Sequence, residues 1–113
     1  MIYKILSRKE WSAAQQAGVF TGSAVDLRDG YIHFSTAEQA AETAAKHFAG
    51  QGDLVLLGVD EKQFGDELKW EVSRGGASFP HLYGDLNTSA VSSIDELPLD
   101  ADGRHVFPNQ IKS

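Results

Sequence analysis

The chain has 113 residues, 42% of them hydrophobic and 23% charged, which fits one globular domain over residues 1–113 and leaves no room for a second. Sixteen acidic residues against ten basic give a net charge of −6, which opposes non-specific attraction to nucleic-acid phosphates or anionic lipid, so no nucleic-acid partner is expected. There is no cysteine, which excludes disulfides and thiolate zinc sites; the longest apolar run, Leu54 to Val59, falls far short of the ~20 residues of a membrane span, and a soluble, cytoplasmic protein is expected.

Ile2 to Leu6 has the composition of a short strand, and Ser7-Arg8-Lys9-Glu10 then matches a capping box. A helix is predicted from Arg8 to Ala17, with Leu6 and Trp11 stapling its start and Gly18 stopping it. Val19 to Asp29 lacks periodicity and predicts a long connection ending in the Asp29-Gly30 turn, before a strand over Tyr31 to Phe34. Ser35-Thr36-Ala37-Glu38 repeats the capping pattern, and Ala37, Ala41, Ala44, Ala45 and Phe48 follow at helical spacing until Gly50. This second helix presents a small alanine face suited to lying against a sheet.

Leu54 to Val59 predicts a strand covered on both faces, followed by a turn over Asp60 to Gly65. Leu68, Trp70 and Val72 alternate with Lys69, Glu71 and Ser73, which places Glu71 opposite the large apolar side chains. Arg74 to Ser78 predicts a loop, and Pro80 predicts that Phe79 to Gly84 is an edge or structured loop. Weaker strands are expected at Ala90 to Leu97 and Arg104 to Phe107, and a frayed end at Asn109 to Ser113. The expected class is α+β, with a mainly antiparallel core and two main helices.

Alternation sends Ile32 and Phe34 to one side of their strand and Tyr31 and His33 to the other, so His33 can line a cleft or hydrogen-bond into the fold. Ser35 and Thr36 are explained by capping, although a capped helix start also attracts anions. Glu71 can be a solvated carboxylate or one that stabilises oxocarbenium-like charge beside a sugar. His81 and Tyr83 share a side of an extended segment and can bound a pocket or anchor the loop. His33, His81 and Glu71 would make a two-histidine, one-carboxylate metal set, but no compact ligand spacing supports it and no metal is expected. There is no glycine-rich phosphate-binding motif.

The strings Asp29-Gly30-Tyr31-Ile32-His33-Phe34-Ser35-Thr36-Ala37-Glu38-Gln39, Trp70-Glu71 and Phe79-Pro80-His81-Leu82-Tyr83-Gly84, with Ile2 to Ile5 and Trp11, resemble the bacterial family catalogued as domain of unknown function 952 over about Ile2 to Leu97. That family is distantly similar to the ADP-ribosyltransferase-like fold, a split antiparallel arrangement that holds nicotinamide adenine dinucleotide (NAD) in a cleft. The resemblance implies site positions at Lys4, at His33 to Thr36 and at Glu71, with NAD as a substrate and no other cofactor. Lys4 departs from the pattern, since the similar proteins carry histidine there; lysine retains donors but not imidazole geometry. The expected activity is ADP-ribosyl or glycosyl transfer or hydrolysis on a nucleotide-type small molecule, with Glu71 and His33 catalytic and Lys4, Ser35, Thr36, Trp70, His81 and Tyr83 binding ligand. The alternative is a non-catalytic module that recognises a metabolite or protein through the same cleft. The sequence leaves the oligomeric state open.

Overall fold

Ser7 ends the first strand, β1 (Ile2–Ser7), and caps the first helix, α1 (Arg8–Ala17). Its hydroxyl accepts from the Glu10 amide at 3.0 Å while the Glu10 carboxylate accepts from the Ser7 amide at 3.0 Å, as the capping box predicts. Gly18 closes α1 in the left-handed region at φ 82°, where glycine carries no Cβ penalty. These elements come from a computed structural model that describes residues 1–108; the predicted end at Asn109 to Ser113 lies outside the described residues.

The connection predicted at Val19 to Asp29 is instead a strand, β2 (Val19–Phe20), and a helix, α2 (Ala24–Asp29), so the described residues form three α-helices rather than two. Both elements are too short to show a period, but the helix carries its own boundary signals: Ser23 three residues before Asp26, and Gly30 at φ 89°. After β3 (Ile32–His33) the third helix, α3 (Ala37–His47), starts one residue later than predicted. Ser35 is held extended by β1, exchanging backbone hydrogen bonds of 2.8 Å in both directions with Tyr3, and the cap therefore falls to Thr36, paired with Gln39 rather than Glu38. Thr36→Ala is expected to cost about 1 kcal/mol of unfolding free energy, measurable by urea denaturation. The buried stripe of α3 is Ala40 and Ala44; Ala41 and Ala45 are exposed.

β4 (Leu54–Val59) lies between β1 and β8 (Val91–Glu96), and all six of its residues are buried, as its unbroken apolar run predicts. Val55, Leu57 and Val59 join Ile2, Leu6, Trp11, Ile32 and Phe34 in one core cluster, whereas Leu54 and Leu56 join Ile5, Ala40, Ala44 and Leu97 in a second one under α3. The other three-stranded sheet runs β3, β6 (Ser78–Leu82), β5 (Leu68–Val72), and β2 pairs with β7 (Leu86–Asn87). Every one of these pairings is antiparallel, and the bridge between Tyr3 and Ser35 links the two larger sheets. The fold is α+β.

Two further expectations are corrected. The segment around Pro80 is a central strand rather than an edge or loop. The Pro80 carbonyl accepts from the Phe34 amide at 3.0 Å, so its nitrogen also faces the β3 side, just past the last ladder pair of that strand, where no donor is required. Arg104 to Phe107 forms no strand; it contributes a single bridge, Leu99 with His105. Among the described residues, no helix is long and apolar enough to cross a membrane.

Candidate functional site

On the sheet β3-β6-β5 the register aligns Ile32, Leu82 and Leu68, which face the first core cluster. The residues of opposite parity, Tyr31, His33, His81, Tyr83, Lys69 and Glu71, therefore share the other face. There Glu71 Oε1 accepts from the Tyr83 hydroxyl at 2.8 Å and lies 2.7 Å from His81 Nδ1. Those two contacts, His81 foremost, hold the Glu71 carboxyl below the usual carboxylate range, so it is ionised at neutral pH. The same hydrogen bond pushes the Tyr83 phenol up to about 12, because its ionisation would set two anions against each other. Tyr31 lies over this group, stacked on His81 with ring centroids 4.1 Å apart and 4.6 and 5.1 Å from the rings of His33 and Tyr83.

His33 is held between two carboxylates. Its Nδ1 lies 2.6 Å from Asp26 Oδ1 and its Nε2 3.0 Å from Asp29 Oδ2. Asp26 is 1% exposed and also accepts from the backbone amides of Ser23 and His33 and from the Lys4 ammonium at 2.8 and 3.1 Å. Burial works to raise the Asp26 carboxyl, but the His33 hydrogen bond and the Lys4 charge outweigh it and hold the group at about 2. Burial pushes the Lys4 ammonium down, opposed in part by Asp26. A cavity of about 250 Å³ lies beside this group, with Asp26, Leu27, Gly30, Tyr31, Gly84 and Asp85 among its walls.

A family model described as "Protein of unknown function (DUF952)" matches residues 5–94. The chain belongs to the DUF952 family. It is similar to the crystal structure of protein CC0527 from Caulobacter crescentus, with 57% identity and a TM-score of 0.94 over 99% of this chain and 98% of that one. The solution NMR structure of CC0527 aligns with a TM-score of 0.83 at 62% identity, over 91% of this chain and 89% of that one. No curated protein matches the DUF952 chain.

Of the residues singled out from sequence, the structure brings together Glu71, His33, His81 and Tyr83. Lys4 reaches the group only through Asp26, and its own ammonium is buried. Ser35 and Thr36 turn their hydroxyls to α3: Ser35 Oγ lies 2.9 Å from Thr43 Oγ1, and Thr36 Oγ1 accepts from the Gln39 amide. Trp70 has the parity of Leu68, so it projects from the opposite face and does not stack on a ligand beside Glu71. Among the described residues, no group of histidines and carboxylates is placed to hold a metal ion. Sequence reasoning missed Asp26, Asp29 and the covering position of Tyr31. A signal for Asp26 existed in β1: Lys4 sits between Ile2 and Leu6 on a core-facing row, and a buried lysine there demands a buried anion.

Proposed function

We propose that this DUF952 protein binds a nucleotide-type ligand against the Tyr31–His33–Glu71 face and acts at the ligand's anomeric carbon, as an ADP-ribosyltransferase-like enzyme using NAD. The observation that carries the reading is Glu71: a carboxylate held ionised by His81 and Tyr83, on one face with His33 and flanked by aromatic rings. When the glycosidic C–N bond breaks, its electron pair leaves on the nicotinamide nitrogen and positive charge develops on the ribose carbon. An ionised carboxylate stabilises that charge, whereas a protonated one does not. The acceptor, water or another hydroxyl, then adds to the carbon and gives up its proton to solvent, while His33, whose ring nitrogens both donate to carboxylates, is placed to hold a ribose or phosphate oxygen of the ligand. Tyr31 and Tyr83 offer ring faces to the base or to the nicotinamide. The split antiparallel sheets joined at Tyr3 and Ser35 are consistent with such a cleft.

Titrating the protein with NAD by calorimetry and following nicotinamide release tests this directly. Binding with release is expected; neither binding nor release would overturn it. A second reading, a non-catalytic metabolite- or protein-binding module, is favoured by the commitment of the Lys4 ammonium to Asp26, which removes it from contact with a phosphate. Saturable binding without release would support that module.

A further inference from the structure

The outer edge of β5 is a strand whose backbone is open, and among the described residues no other strand pairs with it. Which groups are open follows from Pro80. Its carbonyl bonds to Phe34 on the β3 side, so Trp70, directly opposite Pro80, turns its amide and carbonyl away from β6. Leu68 and Val72 have the same parity and turn their carbonyls outward with it. Lys69 and Glu71 bond inward, as does Glu67, whose carbonyl accepts from the Tyr83 amide at 2.7 Å. The strand is unprotected on its apolar side as well: Trp70 is 45% and Val72 71% exposed.

We infer that this edge is the interface for a second copy of the chain, paired antiparallel about Trp70. In that register Trp70 meets the partner's Trp70 in a hydrogen-bonded pair, and the Val72 amide donates to the partner's Leu68 carbonyl. Both requirements match the groups left open. The same register sets Lys69 opposite the partner's Glu71, and Glu71 opposite the partner's Lys69, in the closer non-hydrogen-bonded pairs, where opposite charges attract most. Centring the pair on Lys69 or on Glu71 instead opposes like charges. A lysine on an edge strand ordinarily discourages pairing, but the sequence Lys69-Trp70-Glu71 neutralises itself only against its own antiparallel copy, the self-complementarity of a two-fold interface. The two three-stranded sheets then become one, and the partner's Lys69 stands beside Glu71, so each copy contributes a cation to the other's candidate site.

Light scattering across a concentration series on the full chain tests the pairing. The apparent mass is expected to rise from 12.3 kDa towards twice that value. Lys69→Glu alone and Glu71→Lys alone are each expected to weaken association about tenfold or more, because each opposes like charges at both symmetric contacts. An equimolar mixture of the two variants restores complementarity and is expected to form the mixed dimer. In the unmodified protein, hydrogen exchange at the Trp70 and Val72 amides is expected to slow as concentration rises, a readout that needs no variant. A monomer at every concentration, or a dimer in which these amides exchange freely and the charge reversals change nothing, would overturn the inference.

Discussion

Asp26→Ala is expected to lower the unfolding free energy by about 3–5 kcal/mol, the range for removing one partner of a buried ion pair. The loss has several parts. Lys4, 5% exposed as a residue, is left with its ammonium lacking a counter-charge in a row of core side chains, and the amides of Ser23 and His33 lose the acceptor that satisfied them. The acid limb of the stability curve should change with it. The Asp26 carboxyl is held at about 2 in the fold against an ordinary 3.8, so it binds protons less readily folded than unfolded. Its contribution is fully present above about pH 4 and is lost as the pH falls towards 2; the difference amounts to roughly 2 kcal/mol. Urea denaturation of both proteins at pH 7 and pH 3 should therefore show the variant less stable at pH 7 and the gap between the two narrowed at pH 3. Equal stability at pH 7 would show that the Lys4–Asp26 pair is dispensable to the fold.

Glu71→Gln is expected to leave the melting temperature nearly unchanged and to reduce any nicotinamide release by about 10²–10³-fold. The substitution keeps the shape and an oxygen that can accept from Tyr83, but it removes the charge that would stabilise a cationic sugar carbon. A second readout is independent of turnover. With the Glu71 charge gone, the Tyr83 phenol should titrate well below the value of about 12 imposed by that carboxylate, which an ultraviolet pH titration resolves. If Tyr83 shifts and turnover survives, Glu71 is a structural partner of His81 and Tyr83 and not the catalytic carboxylate. If Tyr83 does not shift, the hydrogen bond between the two is absent in solution.

The departure at Lys4 takes on a different meaning in the folded chain. A lysine in the place of a ligand-binding histidine would be expected to reach for phosphate, yet its position between Ile2 and Leu6 on β1 aims it at the core, where Asp26 and the Phe20 ring, 5.9 Å from the ammonium, receive it. Its connection to the proposed site therefore runs through Asp26 to His33.

Much of this protein was legible in the sequence by itself, wherever the physics is local. The Ser7–Glu10 cap, the extent of α1, the doubly covered β4 and the alternation that puts Glu71 and Leu68 on opposite faces each depend on residues within a turn or a strand of one another. The same alternation put Tyr31 and His33 on one side. What sequence did not reveal depends on partners far along the chain. The start of α3 moved to Thr36 because β1 holds Ser35 extended, and Pro80 sits in a central strand because β3 ends where its missing donor would have mattered. Asp26 lay in a segment too short to show a period, 22 residues from the lysine that neutralises it. Burial turns that distant pair into a necessity, since neither charge is tolerated alone in the core, and only the tertiary structure determines which carboxylate meets which base.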